Sequence, residues 1–209
     1  MLFVMLPADT IQELREQARH SVRGGYEQLE EIVDALVELV EFDPETQDLV
    51  ASDRSRAVAE VGAIVAEENS SYLVEAATWP PQTDCDRITA VFADLERNGI
   101  AARENVGYTQ GDLAVEMSEI VAELAKVGHS MRGWVGFHSQ DIESAVDGRG
   151  LHLGFAPVDR KNKGAWVEIG AEIVEAFKLA GFKVTWNGKA NERPHLAVDW
   201  KRRRSPRHA

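Results

Sequence analysis

His138 and His152 are placed symmetrically about residue 145. A hairpin centred there would set the two imidazoles opposite one another on one sheet face, where directly paired Cβ atoms lie about 4.5–5.5 Å apart. Asp141 and Glu143 follow on the same rim. Two neutral imidazoles and a carboxylate could hold a divalent ion with an open position. The same groups, joined by Cys85 or a metal, would make a small hydrolase. Cys85 falls in the first turn of a predicted helix, where aligned backbone dipoles favour the thiolate. Each of these readings meets a plainer one. Hairpin spacing is far less specific than a ligand motif, and Asp141 can simply cap a short helix from Ile142 to Val146. Asp84 and Asp86 flank Cys85 with charge that opposes a thiolate, and cysteine is commonly just a small buried residue. The plainer readings are preferred, so no catalytic residue and no cofactor are assigned, and the metal question stays open.

Other chemistry-bearing groups have local explanations. Asp84 and Asp86 suit a helix start by charge alone, and Thr83 with Asp86 forms a capping box. Gly148-Arg149-Gly150 precedes a strand, whereas a phosphate cradle needs the amides of a helix N-terminus. Walker A, Rossmann, His-Glu-x-x-His and Gly-x-Ser-x-Gly motifs are absent from the sequence. Trp134, Trp166, Trp186 and Trp200 are expected in a core. If Trp134 and His138 instead point away from the helices, they line an exposed sheet face with Gln140, Asp141 and His152, the favoured binding surface.

The elements that would position these groups follow from periodicity. Ile11, Leu14, Ala18 and Val22 recur at helical spacing before Gly24-Gly25, and Leu29 to Val40 form a second stripe ended near Asp43-Pro44. A third helix is expected after Ser52, taken as its cap. From Thr83 a helix runs to Asn98-Gly99. Strands are then expected over residues 100–106, 131–138, 151–156, 182–186 and 196–200, with helices over 112–127 and 164–180. Asn187-Gly188 marks a tight turn between the last two strands. The order β-α-β-β-α-β-β predicts an α+β fold, a helical region followed by a ferredoxin-like antiparallel sheet of order 2-3-1-4-5 with both long helices on one face.

Charge divides the 209 residues unevenly. Residues 1–80 hold 5 basic and 17 acidic residues, and residues 81–209 hold 18 of each. The shift falls at Trp79-Pro80-Pro81, which predicts an acidic helical region over 1–80, an α+β domain over 81–200 and a basic tail over 201–209. The tail is of the kind that touches phosphates, but the formal charge of −12 disfavours nucleic acid. A solvated tail, or one folded onto the acidic helices, is the preferred reading. No uncharged apolar run approaches the ~18 residues that cross a membrane. The opening Met1 to Leu6 lacks a basic flank and reads poorly as a signal peptide. The single cysteine excludes an internal disulfide framework and points to the cytoplasm.

Four segments together are similar to a bacterial family of uncharacterised proteins defined as a domain of unknown function. They are LREQARHSVRGGYEQLEEIVDALVE, ATWPPQTDCDRITAVFADLERNGIAARENV, GWVGFHSQDIESAVDGRGLHLGFAP and AGFKVTWNGKANERPHLAVDWKRR. The most specific pieces are Thr83-Asp84-Cys85-Asp86-Arg87 and Phe137-His138-x-Gln140-Asp141. The resemblance implies no activity. Members often carry a cysteine-rich segment with a Cys-Gly-His after the strand matching Ile100–Val106. This chain has Val106-Gly107-Tyr108-Thr109-Gln110-Gly111-Asp112 there, so any metal that segment binds in relatives has lost its ligands here.

The functional expectation is a non-catalytic binding or regulatory protein acting through a protein partner, with no membrane association. The alternative is the hydrolase using His138, His152 and Asp141. Self-association through an edge strand or a helical hairpin is the third reading.

Overall fold

The computed structural model describes residues 6–204, so Met1–Met5 and the end of the basic tail lie outside the described residues. Its contacts divide the chain into two compact units, Met1–Pro80 with Arg202–Ala209, and Pro81–Lys201.

The first unit is helical: α1 (Ala8–Gly24), α2 (Leu29–Phe42), α3 (Gln47–Ser52) and α4 (Arg54–Ala76). The apolar stripes read from the sequence are its core, with Leu14, Ala18 and Val22 of α1 meeting Ile32, Leu36 and Val40 of α2 and Val61, Val65 and Tyr72 of α4. Gly25 ends α1 at φ +82, the left-handed conformation that glycine adopts without steric cost. Ser52 is not the cap expected of it. It closes α3 by donating to the Leu49 carbonyl (2.6 Å), and Asp53 caps α4 by accepting from the Arg56 N–H (3.1 Å). The basic residues described at the end of the chain dock on this unit. Arg204 donates to the carbonyls of Val22 (2.9 Å) and Glu27, while Arg202 lies 3.9 Å over the Tyr26 ring.

The second unit runs α5 (Asp84–Arg97), β1 (Ile100–Arg103), α6 (Gln110–Lys126), β2 (Gly133–Gly136), α7 (Ser139–Val146), β3 (Leu151–His152), β4 (Gly154–Pro157), α8 (Lys163–Leu179), β5 (Lys183–Thr185) and β6 (His195–Ala197). It is α+β, but the strands do not form the expected ferredoxin-like sheet. They make two three-stranded sheets, β1-β2-β4 and β3-β6-β5. β1 pairs with β2 in parallel, Ala101 opposite Trp134, and β2 pairs with β4 antiparallel. The α6 crossover thus returns the chain beside β1, where the expected order put the third strand. The single strand expected over 151–156 is split between the sheets: Leu151 and His152 pair with β6, a register the Leu153 N–H extends to the Pro194 carbonyl (2.9 Å), and from Gly154 the chain pairs with β2.

The helices also take both faces of the first sheet rather than one. Trp134 and Ala156 join Leu113 and Met117 of α6 in one core. On the opposite face, a Cβ on Gly133 would meet Ile169 of α8 at 3.1 Å. Phe92 of α5 packs against Phe137 and Phe177, at centroid distances of 5.8 and 6.0 Å. Asn187-Gly188 makes only a local turn, with the Lys189 N–H on Asn187 Oδ1 (2.9 Å), inside a longer 186–194 connection. Among the described residues no helix is long and apolar enough to cross a membrane.

Candidate functional site

The site is built where α7 begins. Phe137, fully buried, fixes the chain as it leaves β2. His138 then stands at the N-cap of α7 in extended backbone (φ −111, ψ 174). Asp141, three residues on, accepts from the His138 N–H (3.2 Å), so it is not the cap expected of a helix from Ile142 but the third residue of a helix that starts three residues earlier and is capped by His138. The Asp141 carboxylate also receives the Arg193 guanidinium and lies 3.1 Å from His138 Nε2. Arg193 donates in addition to the His152 carbonyl (2.9 Å). One arginine therefore ties α7, β3 and the lead into β6 together.

The antiparallel register centred on residue 145 is present in β2–β4, with Gly136 opposite Gly154, but His138 and His152 lie just beyond its end, where the chain turns into α7 on one side and into the β3–β6 ladder on the other. The residue opposite His152 in the ladder is His195, and Arg193 is what brings His138 into the same cluster. Burial holds the His138 imidazole below its ordinary value, with Asp141 opposing and Arg193 assisting. Burial also lowers His152, followed by the neighbouring His195 and Arg193. Both rings are neutral near pH 7. The Asp141 carboxylate is taken by arginine, and among the described residues no three His, Cys, Asp or Glu side chains are disposed to hold a metal ion.

Trp134, His138 and Asp141 are about 5% exposed or less, so they do not form an open sheet face. α6 covers Trp134, and α7 with Arg193 covers His138. Gln140 is exposed in the first turn of α7. Cys85 is buried in the first turn of α5, at 3% exposure.

Beside the cluster lies a cleft of about 190 Å³, which Trp134 reaches from below. Phe155 and Trp166 form its other walls, and Gln110, Arg160, Asn191, Glu192 and Arg193 its rim. Trp166 is held by its indole N–H on the Arg160 carbonyl (3.1 Å), and the 186–194 connection by the Trp186 indole on the Glu192 carbonyl (2.9 Å). Arg160, Trp166, Arg193 and His195 carry no signal in sequence that would have singled them out for this place. Among the described residues, the buried side-chain polar atoms without a hydrogen bond are His138 Nδ1 and Arg193 Nε, both in this cluster. Such orphans are rare in folded proteins. The Tyr108 backbone lies beside the His138 ring and favours its protonated form.

The chain belongs to the family described as a domain of unknown function (DUF6891), which matches residues 7–204. No curated protein and no solved structure matches it. For this DUF6891 chain the cleft and its arginine therefore have to be read from their own chemistry.

Proposed function

We propose that this chain is a non-catalytic binding or regulatory protein of the cytoplasm that acts through a protein partner, whose anchoring side chain enters the cleft beside Arg193. The observation that carries the reading is the size and lining of that cleft. At about 190 Å³ it falls below the ~300–1,000 Å³ typical of sites for drug-sized ligands. It is the size of one large side chain, walled by aromatic rings and rimmed by polar groups, which is how the dominant residues of protein interfaces are received. The net charge of −12 favours a partner that is basic around the anchor.

The hydrolase alternative has less support. A catalytic base needs a nucleophile within hydrogen-bond reach, and His138 Nε2 meets Asp141 and Arg193 rather than a hydroxyl or thiol. Affinity capture from lysate with the full chain and with Trp166→Ala, each at low and high salt, tests the proposal. A protein retained by the parent chain and lost by Trp166→Ala is expected. Identical recoveries for the two chains would remove the cleft from the interface.

A further inference from the structure

We propose that the ligand of the Arg193 cleft is a carboxylate carried on a flat aromatic body of side-chain size. This rests on the binding-protein reading above and specifies what the anchor is. Three independent features converge on it.

The rim is rich in donors. Arg160, Arg193, Asn191 and Gln110 all line the cleft, against one carboxylate, Glu192. Asp141 balances the charge of Arg193, yet it engages only the NH2 end of the guanidinium, and Nε stays buried without a partner. An unmade bond at a buried cation is costly, and an acceptor oxygen brought to Nε by a shift of the 186–194 connection would remove that cost. Arg160 is exposed and holds Ser118 Oγ through a single nitrogen (2.6 Å), so its fork can turn to a second oxygen.

The cleft also meets the start of α6, lined there by Gln110, its first residue, and by Ala114 one turn on. This is the positive end of a 17-residue helix. Asp112, the acidic group in that turn, is committed to the Thr109 N–H and hydroxyl, each at 2.8 Å.

The walls, finally, are rings. Phe155 meets Trp166 edge to face at 5.9 Å, and Trp134 closes the base. A planar ring gains both burial and edge-to-face contact in such a slot.

The shared chemistry has two sources, the C-terminal residue of the partner protein and a free aromatic acid. The test is titration of the full ¹⁵N-labelled chain with N-acetylphenylalanine and with its carboxamide, read on the tryptophan indole signals. The Trp166 and Trp134 signals are assigned with Trp166→Phe and Trp134→Phe. The acid is expected to give saturable shifts at these two indoles, with the amide binding at least about tenfold more weakly. Arg160→Gln should narrow the difference between acid and amide while leaving the unliganded spectrum in place. Equal binding of acid and amide, or no saturable shift with either, overturns the proposal. A peptide ending in a free phenylalanine and 3-phenylpropionate separate the sources: tighter binding of the peptide assigns the partner's C-terminus, and tighter binding of the small acid a metabolite. If the acid fails while capture still depends on Trp166, the carboxylate assignment falls and the binding-protein reading stands. If the acid binds and no protein is captured, the reverse holds.

Discussion

His152 faces His195 across the β3–β6 ladder with ring centroids 4.7 Å apart. His195 Nε2 sits 2.9 Å from the Arg149 carbonyl, which fixes the proton on that nitrogen. A Cβ on Gly150 would fall 2.4 Å from the same ring, so glycine is what lets His195 lie there. The pair shares its surroundings with Arg193, His138 and one carboxylate, Asp141. Asp112 also favours the charged form of His138, but less than burial opposes it.

The consequence is a stability that depends on pH with a definite sign. His138 and His152 both have folded values below the ordinary 6.5, because burial disfavours the imidazolium. The unfolded chain therefore binds more protons than the folded one just below about pH 6.5, and stability rises with pH there. The contribution is complete above that value and is lost as pH falls through it. Urea midpoints should stay level above about pH 7 and drop between roughly pH 6.5 and 5. His152→Asn should make that drop shallower. A parent chain whose midpoint stays level down to about pH 5 would rule this out.

Arg193 carries a second prediction. Asp141 is 6% exposed at its side chain, and Arg193→Met would leave its carboxylate buried with the His138 N–H and no cation. Breaking one half of a buried pair costs about 3–5 kcal/mol. The double variant Arg193→Met with Asp141→Asn should recover much of that, because the stranded charge is gone. Urea unfolding of the three chains gives the coupling directly, and equal losses in the single and double variants would show that packing, not charge, sets the cost.

Two glycines should respond in opposite directions. A Cβ on Gly136 would lie 2.8 Å from the Arg103 carbonyl and 3.0 Å from Leu113 Cδ1, because β1 and α6 both press on β2 there. Gly136→Ala is expected to destabilise by about 1–3 kcal/mol through overpacking. Gly62 lies inside α4 with nothing within 4 Å of a Cβ. Gly62→Ala should stabilise by roughly 0.5–1 kcal/mol, the helix penalty of glycine. Thermal melts of both variants suffice, and a shift of the same sign in each would contradict the packing described.

The contrast between local and distant interactions explains what could be read in the sequence. α1, α2, α5 and α8 were legible because their apolar stripes and caps lie within one or two turns of chain, as Thr83 with Asp86 shows. The strands were legible as extended segments, and so were the antiparallel pairings β2–β4 and β5–β6, but the place of β1 and the division into two sheets were not. Whether β1 sits beside β2 or β4 depends on how α6 packs and on small residues such as Gly133 and Gly136, and hydrophobic alternation is the same in either case. For the site, the antiparallel register centred on residue 145 is present in β2–β4, but it stops at Gly136 and Gly154, so His138 and His152 are not its next pair. They gather instead around Arg193 and its neighbour His195, in a polar stretch that reads as an ordinary loop. Asp141 is 52 residues from Arg193, and no local pattern encodes a pair so far apart.

The basic run near the C-terminus gives the last prediction. Its charge suggests a solvated tail or one folded onto the acidic helices, and its described part is docked, with Arg204 seated on backbone carbonyls. Arg204 donates to the carbonyls of Val22 and Glu27, where α1 ends and its chain turns towards α2. Its own N–H reaches the Tyr72 hydroxyl (2.9 Å), which in turn donates to the Arg202 carbonyl (3.0 Å). The last carbonyls of a helix have no partner within the helix, so Arg204 fills a vacancy that every helix end presents. Arg204→Ala should cost the helical unit about 1.5–3 kcal/mol, the range for hydrogen bonds to a charged group. Lysine cannot bridge two carbonyls with one planar fork, so Arg204→Lys should recover only part of the loss. Salt separates this docking from simple attraction between opposite charges. Exposed charge pairs are largely screened at about 1 M salt, where the Debye length is near 3 Å. The Arg204→Ala penalty should therefore keep most of its size there, read from Trp79, whose ring packs at 5.4 Å against Tyr72. A penalty that vanishes in high salt would mean that the tail is held by the acidic surface and not by the end of α1.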